Sequence, residues 1–264
     1  MSSDSSTKWA LILGASSGFG GATALELARS GFNIFGVHLD TRATLPSAQA
    51  VADGIRSLGR EAEFFNTNAA DTDKRANVLD QISERLKGGV IGLLLHSLAF
   101  GTLKPYVAES PEGEVTPKQM DMTLDVMAHS LVYWVQELLH RDLLGKGGRV
   151  FAMTSAGSTR MWPTYGPVSA AKTALESHIR QLAFELAPRG ITVNAIRAGV
   201  THTPALEKIP GHDALLEGAR SRNPSGRLTT PEDVARAISA LSDDRTYWIT
   251  GNVIGVDGGE DVVG

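Results

Sequence analysis

Apolar residues in this chain fall in short runs that stop at glycine or polar residues, and between the runs they recur at helical spacing. The run at 9–13 (WALIL) ends at Gly14 and reads as a buried parallel strand. Ala22, Leu25, Leu27 and Ala28 then mark a helix ending near Gly31. Strands are predicted at 33–39, 63–67, 90–95, 149–153, 191–196 and 252–256, with helices at 45–58 (ending at Gly59) and 71–86, the latter capped by Asp71 or Thr72. Residues 105–117 are a polar connection. Residues 119–144 read as one long amphipathic helix striped by Met120, Leu124, Met127, Leu131, Trp134, Val135 and Leu138, a stripe that suits core or subunit contact. A further helix runs from the Tyr165–Lys172 stretch to about Ala187 and breaks at Pro188 and Gly190, and Thr230-Pro231-Glu232-Asp233 opens another. Residues 204–224 are rich in Gly, Pro and His with weak periodicity, and are read as a mobile lid over the site, or else a plain surface excursion. Strands alternating with helices predict the α/β class, a doubly wound seven-stranded parallel sheet with helices on both faces.

Composition narrows this picture without redirecting it. With 264 residues, 42% hydrophobic and 20% charged, the chain reads as an ordinary globular protein. We expect a short disordered tail at 1–7 and one domain at 8–264. A formal charge of -4 offers no surface for nucleic acid. The absence of cysteine excludes disulfides, thiolate metal sites and cysteine nucleophiles, and fits a reducing, cytoplasmic setting; no metal is expected. The most apolar stretch, 89–101, is too short to span a bilayer, so no membrane partner is expected.

Candidate chemistry gathers where predicted strands end. Gly14-Ala15-Ser16-Ser17-Gly18-Phe19-Gly20 lies between a strand and a helix, where glycines let the backbone approach a pyrophosphate at a helix N-terminus; the alternative is a structural turn. Asp40 ends the second strand and suits ribose hydroxyls, whereas Arg42 could pair with a 2′-phosphate, or the two could form a loop ion pair. Asn68 follows the third strand. His96 ends the fourth and reads as a packed residue, with a catalytic role as the alternative. Ser155, past the fifth strand, is placed to hydrogen-bond a substrate carbonyl or to form a turn. Tyr165 and Lys172 stand close to two helical turns apart, so both can share one face, and an ammonium beside a phenol lowers the phenol pKa. The plain reading of that pair is a solvated helix face.

In this order and spacing, the glycine pattern, Asn68, Ser155 with Lys172, Asn194 and Val256-Asp257-Gly258-Gly259 resemble the short-chain dehydrogenase/reductase superfamily from Trp9 to about Gly259. The resemblance implies a single-domain Rossmann fold that binds a nicotinamide dinucleotide. Ser16, Gly18, Phe19 and Gly20 would line the pyrophosphate, Lys172 would hold the nicotinamide ribose, and groups around Val200 to Thr203 would hold the carboxamide. Gly14, Ser17, Asp40, Arg42, Asn68, Ala69, Ser97, Leu98 and Gly199 complete the expected cofactor contacts. NADH is favoured over NADPH on the charge of Asp40, with Arg42 the opposing signal.

The departures from the family pattern carry more. Ordinary members place the catalytic tyrosine where this chain has Val168, and the relay asparagine where it has Met127. The Tyr165-x6-Lys172 spacing, His96-Ser97-Leu98-Ala99 in place of Asn-Asn-Ala-Gly, and Ala198-Gly199 in place of Pro-Gly are similar to the enoyl-acyl-carrier-protein reductase branch. Ser155 resembles the ordinary family, and a smaller enoyl reductase subgroup keeps it. The implied activity is reduction of a trans-2-enoyl thioester on acyl carrier protein or coenzyme A in fatty-acid synthesis, with Tyr165, Lys172 and Ser155 catalytic, in a homotetramer or homodimer built on the helices at 119–144 and 169–187. The competing readings are a carbonyl or hydroxysteroid-type reductase with a relocated tyrosine, and a dinucleotide-binding sensor that has lost catalysis.

Overall fold

The computed structural model describes residues 8–263, so the tail expected at 1–7 lies outside the described residues. Seven strands, β1 (Trp9–Leu13), β2 (Asn33–His38), β3 (Ala62–Asn66), β4 (Ile91–His96), β5 (Arg149–Ser155), β6 (Thr192–Ala198) and β7 (Val253–Val256), form one sheet in the order β3-β2-β1-β4-β5-β6-β7. Every pairing is parallel. The connections are α1 (Gly18–Arg29), α2 (Leu45–Ser57), α3 (Thr72–Leu86), α4 (Pro117–Leu124), α5 (Ser130–His140), α6 (Gly166–Leu186), α7 (His212–Arg222) and α8 (Pro231–Leu241).

Alternation along the strands divides the core between the two sheet faces. Leu11, Leu13, Phe35 and Leu94 point to the face covered by α3, α5 and α6, where Leu79, Trp134 and Leu175 pack. Ala10, Ile12, Ile34 and Leu95 point to the face covered by α1, α2 and α8, where Leu27, Ile55 and Ile238 pack. Strands buried on both sides need no polar alternation, which is why they read as continuous apolar runs. Strand order reverses between β1 and β4, and that switch point opens a crevice at the carboxyl ends of the strands.

The expected helix at 119–144 is divided and shorter. It starts at Pro117 behind a capping box formed by Thr116 and Gln119, widens into a π turn at Asp125–His129, and stops at His140. The Ser130 hydroxyl donates to the Val126 carbonyl at 2.7 Å, an alternative to the regular ladder that holds the wide turn. Asp142, with φ +54, turns the chain away beyond α5. The segment at 204–224 is not irregular throughout: it holds a 3-10 turn at Leu206–Lys208 and all of α7. In α7 only Ala219 is buried, so the helix lacks the apolar stripe that would have announced it. Among the described residues, no helix is long and apolar enough to cross a membrane.

Candidate active site

The glycine-rich turn is built by close approach. Gly14 has φ +90, and a Cβ there would lie 2.4 Å from the Ser97 carbonyl oxygen. A Cβ on Gly20 would lie 2.0 Å from the Gly14 carbonyl oxygen, so α1 packs on β1 only with glycine at both positions. Ser97 completes the floor by donating its amide to Leu13 at 2.8 Å. Ser17 is the N-cap of α1, yet its side chain makes no capping bond, which leaves the first-turn amides without a side-chain acceptor from the cap. Thr203 packs over Gly18, its Cγ2 lying 3.7 Å from where a Cβ would be. Gly14, Ser16 to Gly20, Ser97 and Thr203 therefore meet at one strand edge, in the form that receives a pyrophosphate.

Asp40 stands at the neighbouring strand end. Its carboxylate meets His38 Nδ1 at 2.7 Å, and its backbone is clasped by Asn66 at 2.9 and 3.0 Å. Burial works to raise its pKa, but hydrogen bonds from Thr44, Ser16 and His38 prevail and hold it below the ordinary value. Arg42 is exposed and forms no ion pair among the described residues, so the loop ion pair with Asp40 is absent. Asn68 and Ala69 shape the turn after β3: Asn68 Oδ1 accepts from the Ala70 amide at 3.1 Å, and the Ala69 carbonyl accepts from Trp134 Nε1 at 2.9 Å. Leu98 packs against the core.

Tyr165 is the N-cap of α6 and Lys172 lies on its second turn. Thr164, just before it, has φ +64, a left-handed conformation unusual for a β-branched residue, and its Oγ1 is buried without a partner. That strained residue swings the tyrosine ring back over Ser155. The Tyr165 hydroxyl lies 3.4 Å from Ser155 Oγ, which also accepts the Gly157 amide at 3.2 Å. Gly157 makes room: a Cβ there would fall 2.4 Å from the Tyr165 ring. Burial raises the phenol pKa and the Ser155 hydrogen bond opposes this; the lowering expected from Lys172 is not found. The lysine is instead buried against β5, its Nζ donating to the Met153 carbonyl at 2.7 Å.

Desolvation pulls Lys172 down to about 8, and Glu176, itself held by Thr154 at 2.7 Å, works against that fall. This gives a signed expectation for the cofactor-free protein. The unfolded lysine keeps its proton to about 10.5 while the folded one sheds it near 8, so the unfolded chain binds more protons between those values. Stability of the wild type relative to Lys172→Met should therefore rise with pH across that window, by a few kcal/mol (about 1.4 per pKa unit). Paired thermal melts across the window check it; a flat difference would contradict the buried ammonium.

His96 has the packed role its strand-end position suggested. It is fully buried, its Nε2 donates to Ser130 Oγ at 2.8 Å because the serine proton is committed to Val126, and burial with the nearby Lys172 charge lowers it to about 3, so it stays neutral. The two positions where ordinary family members keep tyrosine and asparagine, Val168 and Met127, are buried against each other with Ala171, and Tyr165 packs on their edge. On the turn that follows β6, the Val200 amide donates to Glu260 Oε2 at 3.0 Å, and Gly199 lets that carboxylate in. Contact from Val200 to a ligand is thereby left to its carbonyl. Gly157, Thr164 and Glu260 were not singled out in the sequence: Gly157 matters through the space its missing side chain leaves for the Tyr165 ring, Thr164 through its conformation, and Glu260 acts across 60 residues.

A family model described as Enoyl-(Acyl carrier protein) reductase matches residues 14–260. The chain is 30% identical to 1-cyclohexenylcarbonyl-CoA reductase of Streptomyces collinus over 96% of its length and 86% of that protein. It is 31% identical to 3-oxoacyl-(acyl-carrier-protein) reductase of Aggregatibacter actinomycetemcomitans over 94% of this chain and 97% of the other. The structure of enoyl-(acyl-carrier-protein) reductase (NADH) from Aquifex aeolicus superposes with a TM-score of 0.82 at 27% identity, covering 97% of each chain. With that match, this sheet order and these strand-end residues, the chain belongs to the short-chain dehydrogenase/reductase superfamily, in its enoyl-acyl-carrier-protein reductase-like branch.

Proposed function

We propose that this protein reduces the carbon–carbon double bond of a trans-2-enoyl thioester, carried on coenzyme A or acyl carrier protein, and takes NADH in preference to NADPH. The observation that carries this reading is the displaced phenol: Tyr165 stands beside Ser155, while the ordinary acid position is filled by buried Val168. Carbonyl reduction puts hydride on the carbonyl carbon, so its acid belongs against that oxygen. Enoyl reduction puts hydride on the β-carbon, two atoms away, and charge develops on a thioester oxygen displaced from the hydride path. A phenol set back one turn suits that oxygen.

The residues fit a nicotinamide dinucleotide: the α1 N-terminus carries no side-chain cap from Ser17, the turn needs glycine at 14 and 20 because a Cβ at either would collide with backbone, and Asp40 is held ionised at the end of β2, where a ribose would sit. Bound there, that cofactor supplies the hydride. Tyr165 donates its hydroxyl proton toward the thioester oxygen, its raised pKa keeping the proton in place until charge develops. Ser155 keeps its hydroxyl proton free, since its oxygen accepts from Gly157, and can share the same oxygen. Lys172 spends one donor on Met153 and has two left for ribose hydroxyls. Subunit contacts belong on α5 and α6, where Phe184 stands 78% exposed.

A panel of crotonyl-coenzyme A and ketones, run with NADH and with NADPH, tests the function. Oxidation with the enoyl thioester and none with ketones is expected; turnover of ketones alone would replace this reading with carbonyl reduction. Asp40 sets the cofactor. Asp40→Asn should raise the NADPH to NADH ratio of kcat/KM by about ten-fold, the worth of one charge repulsion of roughly 1.4 kcal/mol. Arg42→Ala should leave that ratio unchanged, and a collapse of NADPH turnover in Arg42→Ala would show that the arginine reads a 2′-phosphate.

A further inference from the structure

We propose that Glu260 is a positioning residue that couples the lid helix α7 to the turn beneath the nicotinamide, so that thioester and cofactor tighten each other's binding. The inference rests on the dinucleotide and thioester reading of the site and goes beyond it.

Glu260 opens a short 3-10 turn, Glu260–Val262, directly after the closing glycines of β7. Its carboxylate is almost wholly buried, and its two oxygens serve different elements. Oε2 accepts the Val200 amide at 3.0 Å, on the turn that follows β6. Oε1 lies 3.7 Å from Nη2 of Arg222, the last residue of α7. The approach to the turn is specific. A Cβ on Gly199 would sit 2.9 Å from Glu260 Oε2 and 2.4 Å from Thr229 Oγ1, so the carboxylate can reach only past a glycine. A buried carboxylate with one amide and one loosely seated guanidinium is costly to leave half-paired, so a shift of either partner is felt by the other.

The segment that carries Glu260 is itself anchored. Asp261 pairs with Arg160 at 2.9 Å, on the loop before Tyr165, and with Arg197 at 2.8 Å, on β6. Asn223, next to Arg222, donates to the Asp257 carbonyl at 2.8 Å. The end of α7 is thus docked on this strap twice, while the strap is fixed to the sheet by Asp261. The Arg222 Nε is buried without a partner, so its guanidinium holds a donor in reserve for a closer seat on Glu260. When an acyl chain settles under α7 and moves Arg222 toward Oε1, the carboxylate is drawn against Val200 and the turn stiffens. Linkage makes the effect mutual: bound cofactor favours the same lid position.

Equilibrium binding separates the two halves of the device. NADH dissociation constants are measured by cofactor fluorescence, alone and with saturating butyryl-coenzyme A as a non-reducible thioester. In the wild type the thioester should tighten NADH by at least about five-fold, within the usual range of coupling between sites. Glu260→Gln keeps an acceptor for Val200 but offers no charge to Arg222; it should bind NADH alone within about two-fold of wild type and lose the tightening. Arg222→Met should behave in the same way. Glu260→Ala removes the acceptor as well and should weaken NADH alone by about ten-fold, the cost of an unsatisfied buried amide. Should Glu260→Ala fail to fold, the Gln and Met variants carry the test by themselves. Wild-type coupling retained in Glu260→Gln and Arg222→Met, no coupling in the wild type, or unaltered NADH binding in a folded Glu260→Ala would overturn the proposal. If the wild type binds no thioester, it is the enoyl reading that has failed, and the comparison of Glu260→Ala with Glu260→Gln on NADH alone still decides the role at Val200.

Discussion

Replacing Tyr165 with Phe is expected to lower kcat for enoyl thioester reduction by about 10²- to 10⁴-fold, the usual worth of a positioned acid, and to leave NADH binding within about two-fold. The two readouts separate because of where the ring sits. Its body packs on Val168, Met127 and Ala171 and over Gly157, and phenylalanine would keep all of that packing. Only the hydroxyl is lost, and its hydrogen-bond partner is Ser155, which is not among the residues proposed to hold the cofactor. Installing a tyrosine at 168 should not restore the rate, because that side chain would be driven into the apolar cluster with its hydroxyl unpaired. A Tyr165→Phe enzyme with near-wild-type kcat in single-turnover measurements would mean that the proton comes from elsewhere.

The largest effect on binding is expected from Gly20→Ala. The added methyl would lie 2.0 Å from the Gly14 carbonyl oxygen and 2.9 Å from its carbon. Both are backbone atoms of a turn whose own glycine is held at φ +90 against Ser97, so nothing flexible can yield. The start of α1 must then lift off β1 and carry its free amides away from the position proposed for the pyrophosphate. Loss of measurable NADH binding and a stability decrease of about 3 kcal/mol or more are expected, an overpacking cost at its upper range. Fluorescence titration and denaturant melts check both. A variant that binds NADH normally would show that the α1 terminus is not where the phosphates sit.

Much of this was legible in the sequence because local rules agreed. Strands such as Leu11-Ile12-Leu13 are buried on both faces and so read as apolar runs, and their alternation with helices fixes the parallel sheet. Gly14 and Gly20 flank a strand-to-helix junction whose geometry permits nothing else. Tyr165 and Lys172 are near neighbours in the chain, so their spacing alone places both at one edge. What escaped depends on partners far away or on conformations that residue identity does not announce. The π turn at Asp125–His129 is stabilised through Ser130 by His96, from the end of β4. Helix α7 buries too little to leave a pattern. Thr164 is left-handed despite a branched Cβ. The Tyr165 pKa moves up because burial prevails, which the isolated Tyr–Lys spacing could not reveal. Glu260 becomes meaningful only once α7, β6 and the closing turn are seen together.

The most direct measurement is where the hydride lands. NADH carrying deuterium at the transferred C4 position is turned over with crotonyl-coenzyme A, and the product is read by mass spectrometry and deuterium NMR. One deuterium on the β-carbon of butyryl-coenzyme A, and none elsewhere, is the expected result. Deuterium on a carbinol carbon, formed only when a ketone is supplied while crotonyl-coenzyme A returns unlabelled, would contradict the role of the displaced tyrosine in enoyl reduction.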